Sequence, residues 1–246
     1  MKMLSDLLKL KEYQNIALVG AGGKTTLINR LTESLRKKSK ILISSTTTFI
    51  KPAVTMYDFI DDVYHEDYQM DGLTKPGVYI IGKGKNLKNL VFGLSCEEIA
   101  VLSPWFDHSI IECDFSNGRP LKGFRDSEPK IPEATHATIG VLDIQSLGVQ
   151  VNAKNIHHLD KYLILTGSSI GSLVTIEDLK KIIEDPKALF KNAKGKRILY
   201  INKVEKELDQ ALTKSLVGQL DLTKVDLVVA GSLVLNRYEI LYQESF

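Results

Sequence analysis

A chain of 246 residues can close one α/β core, and 43% hydrophobic with 25% charged residues is a globular composition, neither disordered nor fibrous. A formal charge of +2 supplies no field that would draw the chain onto nucleic acid or an anionic membrane, so neither is expected as a partner. Cys96 and Cys113 form no C-x-x-C pair and no apolar stretch approaches the ~20 residues of a membrane span, so free thiols and a cytoplasmic location are expected.

Leu4, Leu7, Leu8 and Leu10 recur at helical spacing among Lys2, Lys9 and Lys11, which predicts a short amphipathic helix and no leader. Ile16 to Val19 is a short apolar run ending at Gly20, a first buried strand that enters a turn. Leu27, Ile28, Leu31 and Leu35 then share one side of a 3.6-residue period, with Arg30, Arg36, Lys37 and Lys38 toward the exposed face and C-terminal end. A helix therefore follows the turn.

Lys40 to Ser44 gives a second strand and Val78 to Ile81 a weaker one. Residues 57–89, rich in Asp, Gly and Lys without firm periodicity, read as a small insertion or hairpin. Ser95 and Glu98 have capping-box spacing, and His108 to Asp114 is a β-prone run that enters an Asn117-Gly118 turn. Ala137 to Leu142, Tyr162 to Thr166, Arg197 to Ile201 and Val225 to Ala230 are further short apolar runs, grouped here with the strands. Helical segments fit between several of them, notably Thr175 to Ile183 and Lys206 to Leu220. The alternation predicts a single α/β domain with a mostly parallel sheet and helices on both faces, a three-layer architecture like that of P-loop NTPases.

The turn Gly20-Ala21-Gly22-Gly23-Lys24-Thr25-Thr26 joins the first strand to the first long helix. Glycines let backbone N–H groups close around a phosphate, Lys24 adds a compact positive charge, and the helix start adds its dipole. The Thr25 or Thr26 hydroxyl is placed to ligate Mg²⁺. The full G-x-x-x-x-G-K-[ST] motif needs a glycine where Leu18 stands, so this loop is two residues shorter. A dinucleotide-binding turn is the rival reading. Its third glycine falls on Thr25, however, and the second strand ends in Ser44-Ser45-Thr46-Thr47-Thr48 with no acid for a ribose.

Ligands of a parallel sheet bind beyond the carboxyl ends of its strands. That position makes Thr47 a metal candidate. It also makes Asp114 a Mg²⁺ ligand, with Glu112 as second carboxylate, because residues two apart share one strand face. Lys24, Asp114 and Glu112 are the expected catalytic residues, and Thr25, Thr47 and Asp114 the expected metal ligands. Beyond Asp114, Arg119, Lys122, Arg125 and Glu128 make a mostly basic loop, either an anion clamp or a solvated turn. Asn202-Lys203-Val204-Glu205 resembles the Asn-Lys-x-Asp base-recognition element of GTP-binding proteins, with glutamate for aspartate, and leaves the base open. His157 and His158 read as surface residues at a helix start, since neighbouring helical residues point apart.

Three blocks carry a wider resemblance. They are Val19 to Thr26, Ser45 to Thr48 with Pro52, and Glu112-Cys113-Asp114 running through Gly118-Arg119-Pro120-Leu121-Lys122 to Glu128-Pro129-Lys130-Ile131-Pro132. On these the chain resembles the YqeC-type family of selenium cofactor biosynthesis, or selenium-dependent molybdenum hydroxylase accessory, proteins. The resemblance implies a shortened phosphate loop as a normal feature and a role in maturing a molybdenum hydroxylase. Phe115 replaces the usual glycine after Asp114, and Ser127 stands where the family has histidine. The expected function is a Mg²⁺-dependent NTPase that uses ATP or GTP, held by the glycine loop, Arg119, Lys122, Asn202 and Lys203. A molybdenum hydroxylase or its cofactor is the expected partner. A kinase or nucleotidyltransferase acting on a cofactor precursor, and a nucleotide-gated carrier without turnover, are the alternatives.

Overall fold

The computed structural model describes residues 3–65, 74–85 and 90–244. In chain order these form α1 (Leu4–Leu7), β1 (Asn15–Gly20), α2 (Lys24–Leu35), β2 (Lys40–Ser45), β3 (Thr48–Ile50), β4 (Phe59–Asp61), β5 (Gly77–Ile81), β6 (Leu90–Phe92), α3 (Cys96–Leu102), β7 (His108–Glu112) and β8 (Leu121–Lys122). There follow β9 (Ala137–Asp143), β10 (Ile156–His157), α4 (Leu159–Thr166), α5 (Ile176–Glu184), β11 (Lys196–Asn202), α6 (Glu207–Val217), β12 (Leu227–Ser232) and β13 (Arg237–Gln243).

Nine strands make one sheet in the order β13-β12-β11-β9-β1-β7-β2-β5-β4, parallel throughout except for the antiparallel edge strand β13. Such a sheet is covered on both faces, which is why β9 is buried at every position and reads as an unbroken apolar run. Successive side chains of a strand point to opposite faces. In β1, Ile16 and Leu18 join the core built with Leu27 and Leu31 of α2, whereas Ala17 and Val19 join the core built with Leu179 of α5 and Leu216 of α6. The α/β expectation with helices on both faces therefore holds. Among the described residues no helix is long and apolar enough to cross a membrane.

The strand order places the site. From β1 the chain passes to β2, two positions away, returns to fill the gap with β7, and then crosses to β9 on the other side of β1. The carboxyl ends of β7, β1 and β9 thus flank a point where the order reverses, which is where open α/β sheets leave a crevice. Register aligns the strand ends: Leu18 lies beside Glu112, Gly20 beside Val141, and Asn202 beside Asp143.

Several elements differ from the sequence expectation. Tyr162 to Thr166, grouped with the strands, is the end of helix α4, which stops at a left-handed Gly167. Short apolar runs do not distinguish a strand from a buried helix segment, and here Ile164 is exposed while Tyr162 is buried. Within residues 57–89, β4 and β5 pair in parallel in the main sheet, so they are not the two arms of a hairpin. The remainder of that segment, residues 66–73 and 86–89, lies outside the described residues. The edge strand β13, partly exposed along its length, carried no apolar run to announce it. The Ser95 capping box is present as expected, with the Ser95 hydroxyl accepting from Glu98 N–H and the Glu98 carboxylate from Ser95 N–H.

Leu199 of β11 is fully buried between the two neighbouring parallel strands. Leu199→Ala should lower stability by about 2–5 kcal/mol through lost burial and the cavity it leaves, read as a lower denaturation midpoint in urea at an unchanged slope.

Candidate functional site

The loop from β1 to α2 is built of glycines because nothing larger fits. Gly22 has φ +84° and a Cβ there would lie 2.3 Å from Asp143 Cβ, while Gly23 has φ +135° and its Cβ would lie 2.3 Å from Asn202 Nδ2. Both conformations are ones L side chains rarely adopt. Gly23 is also the residue before α2, so the helix begins with no side-chain cap. Its first-turn N–H groups have no intrahelical partner by construction. The residues that carry them line a cavity of about 420 Å³ together with Glu112 and residues 115–120.

Beneath this cavity lies a buried ionic cluster. Lys24 Nζ donates to Gly20 O (2.8 Å), to Asp114 O (2.7 Å) and to Asp114 Oδ1, and lies 3.4 Å from Glu112 Oε1. Asp114 Oδ2 accepts from Gly20 N–H (2.9 Å) and from Lys122 Nζ (3.0 Å). Lys122 reaches on to Phe115 O (3.1 Å) and Glu128 Oε2 (3.3 Å). Glu112, the last residue of β7, and Asp114, just beyond it, thus meet the same ammonium group.

Charge pairing decides the protonation of this cluster. Burial alone would strip the Lys24 proton, but Asp114 and Glu112 outweigh it and hold the ammonium pKa above its ordinary value. Burial likewise penalises the Asp114 carboxylate, yet Lys24 and Lys122 hold its carboxyl below the usual range. Glu112 goes the other way. Burial pushes its carboxyl up and Lys24 only partly counters this. The site therefore holds two carboxylates of unlike basicity two residues apart.

The expected residues separate into two levels. Gly22, Gly23, Lys24, Thr25, Thr26, Glu112, Arg119, Asn202 and Lys203 line the cavity. Asp114 and Lys122 do not; both are buried below it with their polar atoms engaged. Of the expected metal set Thr25, Thr47 and Asp114, only Thr25 reaches the cavity wall. Thr47 exchanges a hydrogen bond with Ser45 Oγ (3.1 Å), and Thr46 donates to Lys130 O (2.8 Å). Arg125 is exposed and lines no part of the cavity. Among the described residues no three His, Cys, Asp or Glu side chains converge as a metal cage.

Two further residues belong to the site: Asp143, which the sequence did not single out, and His157, expected as a surface residue at a helix start but placed on strand β10 and half-buried. Asp143, at the end of β9, packs against Gly22 and pairs with Lys203 Nζ at 2.5 Å. Its signal was there to find, since it is an acid ending a buried apolar run, like Asp114. His157 is half-buried and Arg119 Nη1 donates to its Nδ1 at 2.9 Å. A guanidinium only donates, so His157 accepts in its neutral form. Burial, then His158 and the basic residues around it, pushes the His157 pKa down to about 4. Only the pairing of β8 with β10 brings this histidine to Arg119, so sequence spacing could not reveal it.

The chain matches the family model described as YqeC protein over residues 16–160. It is also 29% identical over 220 residues to "Uncharacterized protein YqeC" of Escherichia coli (strain K12), an alignment covering 87% of this chain and 84% of that protein. No solved structure matches. The family match spans the glycine loop, the ionic cluster and His157, and ends before Asn202.

Lys122→Ala should cost about 3–5 kcal/mol by chemical denaturation, because it strands buried carboxylate charge. A second outcome follows from His157. The fold keeps it neutral, so from pH 6.5 down to about 4 the unfolded chain binds the extra proton and stability falls with pH. His157→Gln should flatten that part of a stability-against-pH curve.

Proposed function

The chain belongs to the YqeC family, and from the cavity at its strand ends we propose that it binds a Mg²⁺–nucleoside triphosphate, ATP or GTP, and hydrolyses it in the maturation or insertion of a selenium or molybdenum cofactor of a molybdenum hydroxylase. The observation that carries the nucleotide reading is the glycine cradle. Gly22 and Gly23 sit where a Cβ would collide with Asp143 and Asn202, at the start of an uncapped helix whose first residues are Lys24, Thr25 and Thr26. Backbone N–H groups, a helix dipole and a lysine converge on one cavity, which is the donor set a polyphosphate requires. Asn202 Oδ1, a buried acceptor at the cavity wall, has no hydrogen-bond partner among the described residues, which suits a pocket completed by a ligand or its water.

When bound, the nucleotide supplies the transferable phosphoryl group and Mg²⁺ offsets its charge. The residues divide the remaining tasks. The loop N–H groups cradle the phosphates, and Lys24 leaves its carboxylates to neutralise phosphate oxygens. Thr25 offers its hydroxyl to the metal. Glu112, the carboxylate on the cavity wall with a raised pKa, is the group available to orient or deprotonate an attacking water. Arg119, held by His157, offers a guanidinium at the cavity wall to the negative charge that develops in phosphoryl transfer. The role in hydroxylase maturation rests on family resemblance.

Mg²⁺ with ATP or GTP at a hundredfold over Kd should raise the unfolding midpoint by roughly 5–10 °C. Thr25→Ala should remove the Mg²⁺ dependence of that shift while the ligand-free midpoint stays near wild type. Inorganic phosphate should be the product, whereas transfer of label to a cofactor precursor would point to a kinase or nucleotidyltransferase. Absence of any shift with either nucleotide would overturn the proposal.

A further inference from the structure

Resting on that nucleotide reading and going beyond it, we propose that the base is guanine, read by the Glu205 carboxylate on a platform formed by the Lys203 side chain. The cavity that begins at the glycine loop continues to Asn202, Lys203, Glu205, Leu233 and Val234, contributed by the ends of β11 and β12. Phosphate loop and far wall are joined directly, because Asn202 Nδ2 donates to Gly22 O at 2.8 Å. A nucleotide with its phosphates on Lys24 has its base toward this wall.

The segment from Asn202 to Lys206 is held by bonds outside itself. Val204 N–H donates to Gly231 O (3.0 Å), and Asp209 Oδ2 accepts from the N–H groups of Glu205 (3.0 Å) and Lys206 (2.9 Å). Gln145 Nε2 donates to Lys203 O (3.1 Å). These ties keep Lys203 at φ +63°, a left-handed conformation unusual for a residue with a side chain. Lys203 Nζ is paired with Asp143 Oδ2, and the residue lines the cavity with its side chain part exposed. Val234 lies on the same cavity, exposed and apolar. An aromatic base has apolar surface to lie against on both.

Glu205 provides the reading edge. Its Oε1 accepts from Ser232 Oγ (3.1 Å), and Ser232 in turn accepts from Leu235 N–H (3.0 Å), so a fully buried serine sets the carboxylate's orientation. A carboxylate only accepts hydrogen bonds. Guanine presents two adjacent donors, N1–H and the 2-amino group, which match its two oxygens. Adenine presents one donor beside the N1 lone pair, which faces a carboxylate oxygen and repels it. The wall therefore selects guanine by chemistry and not by shape. The longer glutamate side chain is accommodated because Ser232 anchors it back toward β12.

Calorimetric titration of the full chain with GTP, ATP and ITP, each with Mg²⁺, tests this directly. GTP should bind at least about a hundredfold tighter than ATP. ITP, which lacks only the 2-amino group, should bind on the order of tenfold weaker than GTP. Glu205→Gln offers one donor and one acceptor, so it should lose affinity for GTP and gain affinity for XTP, whose C2 carries an oxygen acceptor. ATP binding as tightly as GTP, or ITP equal to GTP, overturns the guanine assignment while leaving the Mg²⁺–nucleotide site intact. No Mg²⁺-dependent binding of any triphosphate overturns the site itself. If Glu205→Gln does not fold, the wild-type comparison of GTP, ITP and ATP decides alone.

Discussion

Asp114 is a fully buried carboxylate that accepts from two ammonium groups, Lys24 and Lys122, and from Gly20 N–H. A charge taken out of water costs several kcal/mol unless it is paired and hydrogen-bonded. Each of the three segments meeting here therefore needs the other two: the end of β7, the glycine loop and the short strand β8. With Glu112 and Glu128 at the margins, two ammonium groups face three carboxylates. Lys122 gives the cluster its latitude. Under the proposed function Lys24 must leave for phosphate, and Asp114 would then still hold Lys122 and the Gly20 amide.

The same economy of space explains the loop. Its glycines are pressed against their neighbours in the sheet, Gly20 against Val141 O, Gly22 against Asp143 and Gly23 against Asn202. Contact with β9 and β11 fixes the loop from the side opposite α2. It also couples the glycine-loop end of the cavity to the Asn202–Lys206 segment through the Asn202–Gly22 hydrogen bond. A shorter loop is thus not a looser one, since the strand ends supply the closure that extra residues would otherwise provide.

The basic segment after Asp114 resolves into two different uses of positive charge. Lys122 turns inward and is spent on structure, whereas Arg119 stays on the cavity wall, steadied by a histidine from β10. The turn between Asp114 and Arg119 is made by Asn117 and Gly118, both left-handed, as Asn-Gly pairs favour. Phe115 packs edge-on against His157, so the residue that departs from the family pattern contributes to holding the same histidine.

Local chemistry made much of this readable beforehand. The glycine loop, the strand-end acids and the Ser95 capping box depend on residues adjacent in the chain, and unbroken apolar runs such as Ile16 to Val19 declare strands buried on both faces. What the sequence could not rank was depth. Lys24, Lys122, Asp114 and Glu112 are equally polar as letters, yet only the tertiary structure puts Glu112 on the cavity wall and buries Asp114 and Lys122 away from it. The β8–β10 pairing that delivers His157 to Arg119 joins residues 38 apart, and the Asn202–Gly22 bond joins residues 180 apart. Short-range patterning determined the glycine motif and most of the buried strands this protein carries. Pairing between distant strands, whose registers no local period encodes, decided which charges face the cavity and which hold the fold together.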